Sequence, residues 1–282
     1  MQIIRTKSGL RALTTSWRRA GERIAVVPTM GALHDGHLSL VTAARAHAER
    51  VIVTLFVNPR QFNNPEDLAK YPRTEQSDAA KLAPFGADVL YVPDGDQMYP
   101  QGFATNISVS GVSEGLCGAA RPGHFDGVAT VVTKLLIQTD ADVAMFGEKD
   151  FQQLQVVRRL AEDLDLKTRI IGCPTVREAD GLAMSSRNLR LGDESRARAP
   201  VIRQTLAQAA DRIRQGAQVA AVLADAGDQL RAAGLGPVDY LEYRRDSDLQ
   251  PAAAPDAPAR LLVAAWLDGV RLIDNLEVAP AG

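Results

Sequence analysis

The sequence predicts an α/β protein in which a parallel β-sheet domain is followed by a smaller α+β domain. Three observations lead there. Apolar, β-branched runs recur through the first two thirds of the chain, helical patterns alternate with them, and the character of the sequence changes near residue 176. Continuous apolar runs suit strands covered on both faces, and strands alternating with helices suit β-α units around a parallel sheet.

The runs are "RIAVVPT" (23–29), "RVIVTLFVNP" (50–59), "ADVLYVP" (87–93), "ADVAMFG" (141–147) and "TRIIGCPTV" (168–176). Helical patterns cover Leu38 to Glu49, Thr74 to Ala83, Gly127 to Gln138 and Phe151 to Leu164. After "ADGLAMSSRNLRLGDESRAR" come amphipathic Ala/Gln/Arg-rich stretches over 193–233, then strand candidates at 238–243 and 260–276. The segment "PAAAPDAPA" (251–259) reads as a solvated loop. The expected division is 1–175 and 176–282.

At 282 residues the chain exceeds what one small core organises, and 46% apolar with 23% charged residues is ordinary globular composition. A net charge of −2, with no run of five Lys/Arg, lacks the phosphate-neutralising surface of nucleic-acid binding, so no nucleic-acid partner is expected. No window approaches the roughly 18 apolar residues of a membrane span, and Met1 to Thr15 carries no targeting pattern. The expectation is a cytoplasmic protein with no membrane partner. Cys117 and Cys173 have no metal-ligand spacing and read as buried small hydrophobes.

Two of the four histidines fall in "VPTMGALHDGHLSLV" (27–41), just after the first of these apolar runs. In open α/β sheets the ligand crevice lies beyond the carboxyl ends of the strands. Gly31 and Gly36 allow close backbone approach there, and the following helix N-terminus favours an anion. The three-residue spacing lets His34 and His37 meet one phosphate group. A surface turn with two solvated histidines is the competing reading. A zinc site is not, since no third ligand has suitable spacing beyond Asp35 between them. His47 sits on a polar helix face.

Further polar clusters end other runs. "FVNPRQF" places Asn58 and Gln61 after the second, where amides can hold a polar or carboxylate-bearing substrate. "MFGEKDFQQL" places Gly147, Glu148, Lys149 and Asp150 after the fourth, with Gln152 and Gln153 on the next helical turn. "READGLAMSSRN" follows the fifth, and its Ser185, Ser186 and Arg187 can clasp a polyphosphate. Each cluster alone also reads as a turn, a solvated face or a helix cap.

Together "PTMGALHDGH", "FVNPRQF", "EDLAKYPRT", "LCGAARPGHFDGVATVV", "FGEKDFQQL", "DGLAMSSRN" and "VRLIDN" span nearly the whole chain. This set closely resembles the pantothenate synthetase family, ATP-dependent ligases that join pantoate to β-alanine. The first motif is also a form of the His-x-Gly-His signature of the wider nucleotidylyl transferase superfamily. The resemblance implies a Rossmann-like amino-terminal domain that binds ATP and pantoate, a smaller carboxy-terminal domain that helps close the active site, and a homodimer. It implies two steps, pantoyl adenylate with pyrophosphate first, then pantothenate with AMP, and Mg²⁺ accompanying ATP.

Carried over by residue, the resemblance implies that Met30, Gly31, Ala32, Leu33, His34, Asp35, Gly36 and His37 line the ATP site, with His37 as proton donor. Gly147, Glu148, Lys149 and Asp150 join them, Lys149 gripping phosphates. Val176 would hold adenosine, and Met184, Ser185, Ser186 and Arg187 would form a phosphate-binding loop. Gln61 and Gln153 would bind pantoate, and Gln61 with Asn58 would meet β-alanine. Arg121 and His124 fall in a family loop near the site, with a gating or substrate role. No protein ligand for the metal follows. The rival readings are another nucleotidylyltransferase and a noncatalytic ATP-sensing module.

Overall fold

A computed structural model describes residues 1–280. Its described residues divide into two compact units, one comprising 1–113, 121–148 and 153–174, the other 114–120, 149–152 and the residues from 175 onward.

The first unit is organised by a six-stranded, wholly parallel sheet. Its strands are β1 (Gln2–Ile4), β2 (Ile24–Thr29), β3 (Arg50–Leu55), β4 (Val89–Tyr91), β5 (Val143–Gly147) and β6 (Arg169–Cys173), in spatial order β1-β4-β3-β2-β5-β6. The central strands are buried on both faces, which is why they read as unbroken apolar runs: Ile24, Ala25, Val26 and Val27 are wholly covered, as are Val51, Ile52 and Val53. One side packs against Leu38, Val41 and Ala44 of helix Asp35–Arg45.

Several elements of this unit lie outside the sequence expectations, among them β1, helix Lys7–Arg19 and the short helices Pro65–Ala69 and Gly95–Met98. β1 is a three-residue edge strand with only Ile4 buried, too short to show a period. Helix Lys7–Arg19 has Leu10, Thr14 and Trp17 as its buried stripe, with basic residues elsewhere on its surface; that 3.6-residue spacing was a usable signal. Helix bounds also move: the helix expected from Leu38 begins at Asp35, and the one expected from Gly127 begins at His124. In the second run the strand stops at Leu55, and 56–58 lead into a 3₁₀ turn at Pro59–Gln61.

The second unit contains an antiparallel sheet of β7 (Val238–Arg245), β8 (Ala259–Leu267) and β9 (Val270–Val278). The expected single strand over 260–276 is therefore a hairpin. Asp268 and Gly269 form its two-residue turn with φ of +45° and +75°, the positive values that a tight hairpin turn demands. Leu261, Val263, Ala265 and Leu267 of β8 face Ile202, Leu206 and Ile213 of helix Val201–Arg214 and Val222 and Leu230 of helix Val219–Ala232. The alternate residues point to the other face. There Tyr240, Arg260, Arg271 and Asn275 contact the short segments 114–120 and 149–152.

Both cysteines are buried. Burial, with Glu148 second, pushes the Cys173 thiol up, away from reactive thiolate. Cys117 is more than a small hydrophobe, since its sulfur lies 3.2 Å from the Tyr240 hydroxyl. Among the described residues no helix is long and apolar enough to cross a membrane.

Candidate active site

Strand β2 lies between β3 and β5, so the order of connections reverses there. A crevice at the carboxyl ends is expected at such a switch point. The turn leaving β2 is built for it. The Thr29 hydroxyl donates to the Thr54 carbonyl at 2.7 Å, tying the strand end to β3. Gly31 then takes φ +87° and Ala32 φ +51°, and no L side chain adopts the first conformation readily.

The strained turn is held by a carboxylate that the sequence reading passed over. Asp78 is fully buried and accepts from the Ala32 N–H at 2.9 Å and the Leu33 N–H at 2.8 Å. The Thr74 hydroxyl donates to the same carboxylate at 3.0 Å, and the Lys81 ammonium donates to the Leu33 carbonyl at 2.7 Å. Helix Glu75–Leu82 thus clamps both polarities of the Ala32–Leu33 backbone.

His34 is the N-cap of helix Asp35–Arg45, and His37 is its third residue. Their ring centroids are 4.1 Å apart. The His34 backbone N–H donates to His37 Nδ1 over a long 3.4 Å. With Nδ1 accepting, a neutral His37 ring carries its proton on Nε2. Both rings are half-buried at a helix N-terminus, where N–H groups and dipole favour an anion.

At the end of β3 the Asn58–Gln61 turn is equally constrained. The Asn58 amide donates to Gln61 Oε1 and to the Gly127 carbonyl, both at 3.0 Å, while its Oδ1 accepts from the Tyr99 hydroxyl at 2.7 Å. Burial pushes the Tyr99 phenol up to about 12, so it stays a donor through neutral pH. Asn58 is thus engaged in orienting Gln61, whose Oε1 is occupied and whose Nε2 remains the donating end. Arg121 Nη2 and His124 Nδ1 donate to the Gln61 carbonyl at 3.0 and 2.9 Å. A carbonyl can only accept, so His124 is protonated on Nδ1, and its Nε2 lies 3.2 Å from Arg121 Nη1.

Gly127 makes this packing feasible: a Cβ there would overlap the Arg60 carbonyl. Gly127→Ala is expected to destabilise the protein by about 1–3 kcal/mol through overpacking, read as a lower denaturant midpoint. An unchanged midpoint would mean the turn yields freely.

Gly147 and Glu148 end β5, beside β2 in the first unit, and half-buried Gln153 belongs to that unit as well. Lys149, Asp150, Val176 and Met184 to Arg187 belong to the second unit. The Lys149 ammonium lies 3.6 Å from the Asp150 carboxylate and is largely covered. Val176 accepts from the Met184 N–H at 3.0 Å, closing a turn, and Ser185 caps the following 3₁₀ segment by accepting from the Arg187 N–H at 3.2 Å.

The family model for Pantoate-beta-alanine ligase matches residues 2–277. The chain belongs to that family. A Pantothenate synthetase of Chelativorans sp. is 67% identical over 277 residues, 98% of each chain. The Thermus thermophilus pantothenate synthetase structure superposes with a TM-score of 0.94 at 45% identity, covering 99% of this chain and 100% of that one. A Francisella tularensis pantoate-beta-alanine ligase, solved with beta-gamma ATP and beta-alanine, gives a TM-score of 0.83 at 35% identity, covering 98% and 97%. The fold of this ligase family therefore accounts for both sheets.

Asp78, Thr74, Lys81 and Tyr99 are what the sequence reading missed. Thr74 stands within "EDLAKYPRT", but Asp78 sits in a polar helical pattern and looks like any solvated carboxylate until burial is known.

Proposed function

We propose that this member of the Pantoate-beta-alanine ligase family condenses (R)-pantoate with β-alanine at the expense of ATP, releasing AMP and pyrophosphate. The observation that carries the reading is the histidine pair at a helix N-terminus beyond the carboxyl end of β2, the next strand end bearing an oriented glutamine. A pantoate carboxylate oxygen attacks the α-phosphorus, and the bond to the bridging oxygen of pyrophosphate breaks. The β-alanine amine then adds to the acyl carbon, loses a proton, and AMP leaves with the carboxylate's former oxygen. No protein nucleophile is required, so positioning and charge stabilisation carry the catalysis.

In this reading Met30 to His37 take the nucleotide, and His37 Nε2 donates toward the departing pyrophosphate with His34 beside it. Lys149 supplies a compact positive charge, assisted by Gly147, Glu148 and Asp150. Val176 takes the adenosine portion and Met184 to Arg187 the phosphates. Gln61 and Gln153 hydrogen-bond pantoate, and Gln61, held by Asn58, also meets β-alanine. Amides suit hydroxyls and a single carboxylate better than a phosphorylated substrate.

Mg²⁺ would enter on ATP oxygens and water, its usual preference, where it would neutralise phosphate charge. The proposal includes a homodimer in the cytoplasm, a setting that suits two unpaired cysteines.

The test is pyrophosphate exchange into ATP that depends on pantoate, followed by AMP release on adding β-alanine. Exchange supported by a phosphorylated acceptor instead would make the protein a nucleotidylyltransferase. ATP binding with no AMP formed from any substrate combination would leave only a sensor. Gln61→Ala is expected to raise the KM for pantoate at least tenfold while ATP affinity by calorimetry changes less than threefold. The opposite ranking would remove Gln61 from the acid's site.

A further inference from the structure

We propose that the adjacent residues Asp274 and Asn275 of β9 are positioning residues that set the two nucleotide-binding segments of the second unit, Asn275 through the backbone of Lys149 and Asp274 through Arg177. The proposal rests on the reading of Lys149 as a phosphate-binding cation.

Successive strand residues point to opposite faces, so one dipeptide reaches two places. Asp274 faces the side of β9 that carries Leu272, Leu276 and Val278, an apolar core, and is almost wholly buried. A carboxylate is costly there unless paired. Its partner is Arg177, bidentate at 2.7 and 2.9 Å. Arg177 also donates to the Gly181 carbonyl at 3.1 Å and bridges to Ala183, spanning the base of the turn whose far strand continues into Met184 and Ser185. The ion pair therefore fixes the base of the turn from which the 184–187 segment continues.

Asn275 faces the other way and is equally buried. Its amide Nδ2 donates to the Lys149 carbonyl at 2.9 Å. Its Oδ1 accepts from Arg260 at 2.7 Å, which fixes the orientation of the amide. The Arg260 guanidinium in turn lies 4.0 Å over the ring of Phe151, two residues beyond Lys149. The Lys149 carbonyl is thus held by a hydrogen bond and the nearby Phe151 ring by a stacked cation, from two neighbouring strands. Lys149 itself contacts none of this apparatus with its ammonium, so the apparatus places the residue without competing for its charge. A long flexible side chain delivers a charge accurately only if its root is fixed.

Asn275→Asp is the decisive variant. It keeps the size and the Arg260 contact but replaces the N–H donor toward Lys149 with a carboxylate oxygen, which cannot donate. Pantoate-dependent pyrophosphate exchange is expected to fall roughly 10- to 100-fold, with the KM for pantoate within threefold of the parent and the unfolding transition retained. In a Lys149→Ala background the same substitution is expected to change exchange less than twofold, because its effect passes through Lys149. Asn275→Ala should repeat both results.

Exchange by Asn275→Asp within threefold of the parent would overturn the assignment. So would a loss that multiplies fully with Lys149→Ala, since a merely structural residue behaves that way. Failure of both Asn275 variants to fold would also overturn it, making Asn275 a fold determinant. If Lys149→Ala alone is unimpaired, the reading of Lys149 fails first and separately.

Discussion

Replacing His37 with alanine is expected to reduce pantoyl-adenylate formation by roughly 10² or more, the loss typical of removing one preorganised donor to a developing charge. The ring's contribution is directional. Its Nδ1 accepts from the His34 N–H, so a neutral ring carries its proton on Nε2, the nitrogen that the proposed reaction uses as donor. Folding should suffer little, because His37 is half-buried on the first helical turn and the apolar residues of that helix lie elsewhere, at Leu38, Leu40, Val41 and Ala44. The fall should therefore appear in exchange kinetics with an almost unchanged unfolding midpoint. Exchange within threefold of the parent would exclude His37 from the chemistry.

Asp78→Ala should be the most damaging change to the same turn, and for the opposite reason. Asp78 touches no reacting atom in the proposed mechanism, yet two backbone N–H groups of the positive-φ turn donate to it, that of Ala32 shared with the Thr74 hydroxyl. The Ala32 N–H would keep the Thr74 hydroxyl at 3.2 Å, but the Leu33 N–H would lose its acceptor, and a buried donor left unsatisfied costs about 1–3 kcal/mol. That is an appreciable fraction of the roughly 5–15 kcal/mol that stabilises most domains. Asp78→Asn separates positioning from folding. The amide retains one oxygen for one N–H and presents an NH₂ group to the other, so the protein should fold while ATP affinity and adenylate formation both fall at least tenfold. A parent-like midpoint for Asp78→Ala would show that the turn holds itself without the clamp.

These two residues illustrate what could be read in advance. His37 is legible because its chemistry, its spacing from His34 and its place after an apolar strand are all local. Asp78 is not, since what distinguishes it from the exposed carboxylates of polar helices is complete burial against a turn more than forty residues away. Asn58 shows an intermediate case. Its position after a strand makes it a candidate for the site, but only packing reveals that its amide is directed at Gln61 and Gly127. The hairpin turn at Asp268-Gly269 is a different miss, because the Asp-Gly signal was present in a run read as one strand.

Local pattern alone established the alternating architecture, the strand ends that bear polar clusters, and a family resemblance that the full-length match sustains, because periodicity and motif spacing are written in neighbouring residues. The strand order with β2 at its switch point, the buried clamp on the β2 turn, and the opposite-facing anchors at Asp274 and Asn275 emerged only from the folded chain. Each depends on groups distant in sequence meeting in a low-dielectric interior, where an unpaired polar atom is costly and its partner is set by three-dimensional packing.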